Sequence, residues 1–241
     1  MEEKFFLPKK DIFSYDDLKK LYSQTGKMVS DRQIKYEIKK MMDKNKIARV
    51  GRNQYCLLRQ DEMVYEYQYS DFAINLASCI IQEYPFVNFS ISELIQLNEF
   101  INHQIGKNVY FLSIEEDVLD YIFESLKEKY PGKVLIEPSV EMFHKYWSEE
   151  MIVISKLVSE APKGKKQFWN TELEKFLVDL YVEDLWRASV AESEVILLYE
   201  SAFEKYVIDE SRFFRYARRR GAEIKIKKFI EEQTTVRLRL R

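Results

Sequence analysis

Several kinds of chemistry are excluded by what this sequence lacks. Its 241 residues include only two cysteines, two histidines, six glycines and five prolines. Cys56 and Cys79 lie far apart in apolar runs, so they read as reduced core residues and not as a disulfide framework. A zinc site needs more Cys and His than are present. His103 and His144 fall in helical contexts, and no glycine-flanked serine elbow accompanies them. No glycine-rich loop has the spacing that cradles a phosphate. The low Gly and Pro content, with 46% hydrophobic and 15% aromatic residues, excludes a disordered chain. No stretch approaches the roughly 18 uncharged apolar residues of a membrane span. The start, MEEKFFLPKKDIF, is acidic and interrupted by Pro8, with no apolar core of a secretory leader. These absences predict a cytoplasmic protein with no metal, no cofactor and no membrane.

Charge is present but segregated. Residues 1–60 carry 15 Lys+Arg against 8 Asp+Glu, residues 61–211 carry 12 against 29, and residues 212–241 carry 11 against 3. Basic ends around an acidic middle suggest that the ends meet an anionic partner.

Within the first sixty residues, Ser14 with Asp17 reads as a capped helix start, Leu18, Leu21 and Tyr22 share one face, and Gly26 ends the helix. Ser30 with Gln33 opens a second helix whose Ile34, Ile38, Met41 and Met42 form a narrow apolar stripe. Two strand-like segments, KIARV and QYCLL, flank Gly51-Arg52-Asn53, a tight hairpin turn. Only 13 residues precede the first helix, with KFFL as a strand-like lead. This order predicts a winged helix-turn-helix over residues 1–60, whose second helix enters the major groove. The expected DNA contacts are Arg32, Gln33, Tyr36, Lys39 and Lys40 on the helix and Arg49, Arg52 and Asn53 on the hairpin. Lys and Arg neutralise phosphates, and Arg, Gln and Asn pair with base edges. A winged helix used for protein contacts has the same pattern.

The remainder, 61–241, alternates strand-like and helix-like segments and predicts an α/β or α+β domain, with residues 59–70 as the crossing. Asp71 is expected to cap a helix over FAINLASCIIQEY, FVNFSIS, NVYFLSI, KVLIEPS and MIVISKLV read as strands, and 171–241 as helical, with Thr171 and Glu174 as a capping box. Sheet-and-helix folds of this kind include metal-dependent nucleases with a Glu-x-Lys pair on a strand. Here VLIEPS offers Glu137 but Ser139 in place of the Lys, and VISKL offers Lys156 but Ile154 in place of the acid. A diverged nuclease is therefore the weaker alternative.

Two segments, TELEKFLVDLYVEDLW and FEKYVIDESRFFRYARRRG, resemble helices of the abortive-infection AbiE antitoxins, and they follow a winged-helix pattern as in that family. The resemblance implies a type IV antitoxin that represses its own operon by binding operator DNA at an inverted repeat. It implies a nucleotidyltransferase toxin as a functional partner and not a stable physical one. The expected protein is a monomer or weak dimer, cooperative on DNA. The residues carried over by the resemblance are Thr171, Glu174, Lys175, Asp179, Tyr216, Arg218 and Arg219. The sequence itself adds Arg215 and Arg220, since four guanidiniums in six residues need carboxylates or phosphates nearby. Pairing with the acidic middle and binding of an external anion are both open. A transcriptional regulator with a ligand-sensing or dimerising C-terminal domain is the other binding-protein reading.

Overall fold

The computed structural model describes residues 7, 8, 10–24, 29–59 and 62–240. It is a mixed α/β protein with two sheets. The first unit comprises β1 (Ile12–Ser14), α1 (Tyr15–Gln24), α2 (Asp31–Asp43), β2 (Ile47–Gly51) and β3 (Gln54–Leu57). Both expected helix starts have the reciprocal geometry. Asp17 N donates to Ser14 Oγ and Ser14 N to Asp17 Oδ2, while Gln33 N donates to Ser30 Oγ and Ser30 N to Gln33 Oε1. Each exchange satisfies backbone groups that a helix leaves orphaned. The strands form an antiparallel sheet in the order β1-β3-β2. The leading strand is Ile12–Ser14; most of KFFL, and Gly26, fall outside the described residues. Phe13, Leu18, Tyr22, Ile34, Ile38, Met41 and Ile47 form the core.

The second sheet has the order β4-β5-β7-β6, from β4 (Phe89–Glu93), β5 (Val109–Ile114), β6 (Val134–Ile136) and β7 (Met151–Lys156). The strands β5, β7 and β6 run parallel and β4 is antiparallel to β5. Alternation along β5 and β7 feeds two cores. Tyr110, Leu112, Ile114, Ile152 and Ile154 meet α3 (Asp71–Glu83) and α4 (Leu119–Lys129). Val109, Phe111, Met151 and Val153 meet α5 (Val140–Lys145) and a helical layer. That layer is α6 (Leu173–Val182), α7 (Asp184–Ala188), α8 (Glu192–Lys205), α9 (Glu210–Arg219) and α10 (Glu223–Gln233). Side chains on both faces of a parallel sheet are buried, so these strands are apolar at nearly every position.

Two caps differ from expectation. Ser70, not Asp71, caps α3, its Oγ accepting from Ala73 N. Thr171 does not cap α6; Glu172 holds that position without a side-chain bond. Thr171 Oγ1 donates instead to Ile91 O at 2.8 Å and accepts from Ser92 Oγ at 2.9 Å, so the sheet claims its hydroxyl. The strand read from Phe86 starts only at Phe89, because a turn holds residues 85–86. Cys56 is buried, whereas Cys79 is half-buried and its Sγ accepts from Lys129 Nζ.

The segment expected to cross between domains is a strap laid on the larger unit. Met63 N donates to Lys205 O and Val207 N to Met63 O, both at 3.0 Å. The Tyr67 hydroxyl donates to Glu93 and that of Tyr69 to Ile91 O. The hairpin is also docked. Leu240 packs with Ala48, Val50 and Cys56, and the Arg239 guanidinium meets Glu62. No helix among the described residues is long and apolar enough to cross a membrane.

Candidate functional site

Two groups of residues singled out in the sequence can be placed. On α2, burial of Ile34, Ile38 and Met41 turns Arg32, Tyr36 and Lys39 outward. They stand at i, i+4 and i+7, one stripe of the helix, and Tyr36 is 62% exposed. Lys35 is exposed beside them, and Lys40 is half-buried. Gln33 is exposed, but its amide oxygen is occupied by the Ser30 backbone and hydroxyl at 2.8 and 2.9 Å. Only its amide nitrogen is left for an outside partner.

The hairpin residues are less free than the sequence implies. Arg49 Nε donates to Gly51 O at 3.0 Å and lies 3.4 Å from Asp209 Oδ2 at the start of α9. Asn53 has φ 57°, and its Oδ1 accepts from Tyr15 N at 3.2 Å, so it serves the turn. The Arg52 side chain is exposed while its backbone N donates to Ser211 Oγ at 3.3 Å. The hairpin is thus anchored to α9, at Asp209 and Ser211.

The second group forms a buried polar knot between α6 and α9. Lys175 and Asp179, one helical turn apart, are 2% and 5% exposed and joined at 2.5 Å. The Tyr216 hydroxyl donates to Asp179 Oδ1 at 2.8 Å, and Arg220 bridges Asp179 at 3.4 Å and Glu183 at 2.6 Å. Burial, with the Asp179 carboxylate beside it, pushes the Tyr216 hydroxyl well above the ordinary tyrosine value. Burial pulls the Arg220 pKa down, but Asp179 and Glu183 outweigh it, so the guanidinium is held charged. Glu174 is buried nearby and accepts from Asp209 N at 2.9 Å; desolvation raises its pKa. A buried charge needs such partners, because isolation in a low-dielectric interior is costly.

The other arginines are paired as well. Arg218 makes a bidentate contact with Glu223, whose carboxyl it holds down to about 2. Arg219 and Arg215 share Glu160 at 2.9 and 3.8 Å. The cluster therefore finds its carboxylates inside the chain, although Arg215 and Arg219 keep about half their side-chain surface in water and Arg218 keeps 70%. Lys175, Asp179, Tyr216 and Arg220 converge, while Glu174 is bonded to Asp209, Thr171 to the sheet, Arg218 to Glu223 of α10 and Arg219 to Glu160. Glu137, with φ 39° just past β6, and Lys156, at the end of the neighbouring β7, line one cleft, where the Lys156 ammonium is paired with Glu116. Among the described residues no cluster of three or more His, Cys, Asp or Glu could hold a metal.

Sequence reasoning missed Glu93. It is fully buried and accepts from the Tyr67 hydroxyl, Ser70 N, Ser70 Oγ and Asn108 Nδ2 at 2.8–2.9 Å. Its donors come from two segments distant from it in sequence, the strap at Tyr67 and Ser70 and the start of β5 at Asn108, so no local pattern announces it.

Residues 33–236 match a family described as "Family of unknown function (DUF6577)", and the chain belongs to it. No curated protein matches the sequence. Among solved structures, the crystal structure of the RV2827C protein from Mycobacterium tuberculosis is similar at a TM-score of 0.24 and 11% identity, over 95% of this chain and 78% of that one. A likeness of that size carries no argument about function.

Proposed function

We propose that this protein is a cytoplasmic DNA-binding autorepressor of the antitoxin type. Its N-terminal unit acts as a winged helix-turn-helix with α2 as the reading helix. The observation that carries the reading is the outward stripe of Arg32, Tyr36 and Lys39 on a helix whose opposite face is locked into the core. A rigidly seated helix with an exposed cationic and aromatic stripe suits the major groove. Arg49 is drawn to Asp209 and Asn53 to Tyr15, so α2 carries the base contacts and Arg52 a phosphate contact. The antitoxin half rests on the resemblance of the α6 and α9 segments to AbiE antitoxins. It takes a nucleotidyltransferase toxin as the functional partner, and an inverted repeat bound by two or more copies as the operator.

The test is a gel shift with the DNA upstream of the gene at low salt. Arg32→Ala is expected to relax base preference by about 1–3 kcal/mol at one position. Lys39→Ala should weaken all sequences alike and reduce the salt slope by about 1. Absence of any retardation by the wild-type protein refutes the DNA reading. If the protein binds DNA but its expression fails to rescue growth from a neighbouring nucleotidyltransferase, the antitoxin half is refuted alone.

A further inference from the structure

The hairpin meets α9 through contacts of unequal quality. Arg52 N donates to Ser211 Oγ at 3.3 Å. Gly51 passes so close that a Cβ there would lie 2.6 Å from Leu240 Cδ1 and 2.8 Å from Ser211 Oγ. The charged side chain at the same boundary, Arg49, is seated less completely. A guanidinium carries one hydrogen on Nε. Here that hydrogen is spent on Gly51 O at 3.0 Å. The same Nε is the atom that approaches Asp209, 3.4 Å from Oδ2, and Oδ2 accepts no hydrogen bond. Charge alone joins this pair.

The two partners differ in surroundings. The Asp209 side chain is 6% exposed and that of Arg49 47%. Asp209 Oδ1 caps α9 by accepting from Arg212 N at 3.0 Å. Two further carboxyls adjoin it. Glu174 accepts from Asp209 N, and the next residue, Glu210, accepts from the backbone N of Arg239 and Leu240. Among the described residues Arg49 is the one ion-pair partner of Asp209. A buried carboxylate depends strongly on such a counter-charge. The two Nη groups of Arg49 bond to no acceptor among the described residues. The wing therefore presents a guanidinium fork whose donors are free but whose charge is balanced from behind by α9.

We propose that Asp209 withholds the charge of Arg49 from DNA, an autoinhibitory contact by which α9 keeps the wing one phosphate contact short. This rests on the DNA reading above. Phosphate binding is driven by counterion release, which scales with the cationic charge brought to the backbone. A guanidinium already neutralised by a buried carboxylate brings little. Displacement of Asp209 from the wing then strengthens DNA binding, and by reciprocity a phosphate on Arg49 favours release of the hairpin from α9. A residue that merely positioned Arg49 for DNA would have the opposite effect when its charge is removed.

The experiment is a gel-shift titration of the full chain over a range of salt concentrations, with the DNA upstream of the gene and an unrelated duplex of equal length. Asp209→Asn retains a good helix cap and removes the charge. It should tighten binding of both duplexes severalfold and steepen the salt dependence by about 0.9, the slope of one added phosphate. The same change made in Arg49→Gln protein should give no gain. Asp209→Ser, a second good cap, repeats the measurement where a melting curve shows the Asn variant unfolded. Unchanged or weaker binding by a folded Asp209 variant overturns the proposal. A gain that survives in the Arg49→Gln background also does so, because it then comes from the general field and not from Arg49. Retardation of neither duplex by the wild type refutes the DNA reading itself, and this proposal with it.

Discussion

Replacing Asp179 by alanine removes the acceptor at the centre of the α6–α9 knot. The substitution strands the Lys175 ammonium, 2% exposed, and the Tyr216 hydroxyl, 1% exposed, while Arg220 keeps Glu183. Breaking a buried ion pair from one side costs about 3–5 kcal/mol, because the remaining charge is left without compensation. For a chain of this length each kcal/mol lowers the melting temperature by about 2–4 °C, so the expected drop is roughly 6–20 °C. The same ledger predicts a partial recovery. Lys175→Met in the Asp179→Ala background removes the stranded charge and substitutes a side chain of similar length, so the double variant should melt above the single. Differential scanning calorimetry of the wild type, both singles and the double, with far-UV circular dichroism as a check on folding, measures this directly. A growth-rescue assay on the same four proteins separates structure from function. If Asp179→Ala melts within about 3 °C of the wild type, the knot is not structural. If the double variant melts no higher than the single, the stranded ammonium is not the cause.

Two further outcomes concern Glu174 on α6 and the contact of Leu240 with the hairpin. Glu174 has its carboxyl raised by burial, so it holds a proton more tightly folded than unfolded. Its favourable contribution is complete below the ordinary value of 4.5 and is lost as pH rises through the folded value. Glu174→Gln should therefore flatten the decline in melting temperature above pH 4.5 and leave the neutral-pH value unchanged or higher; a steeper decline in the variant contradicts the assignment. Leu240 covers Val50 and Cys56 of the hairpin, and the backbone N of Arg239 and Leu240 both donate to Glu210. Leu240→Ser should loosen the hairpin and raise hydrogen exchange at Ala48 and Val50 ahead of global unfolding. Equal protection in variant and wild type would mean that the tail does not hold it.

Much of the architecture was legible locally. The Ser30 and Gln33 pair, the i, i+4, i+7 stripe of Ile34, Ile38 and Met41, and Gly51-Arg52-Asn53 between two apolar segments each encode their element within a few residues, because caps, helix faces and turns are short-range interactions. The unbroken apolar runs of β5 and β7 likewise marked strands buried on both faces. What tertiary structure alone decided was the fate of the polar groups. Thr171 has the neighbours of a helix cap, yet the Ile91 carbonyl and the Ser92 hydroxyl, about eighty residues away, take its side chain. For the arginines at the end of α9 the order of residues leaves internal pairing and an external anion both open, and packing decides it by bringing Asp179 and Glu183 to Arg220 and Glu160 to Arg215 and Arg219. Arg49 reads as a wing residue, and only the docking of the hairpin on α9 places Asp209 beside it. Backbone preferences act over one or two turns and are written in the order of residues. The partner of a charge or a hydroxyl is whichever group the folded chain brings within about 3 Å, and sequence separation places no limit on it.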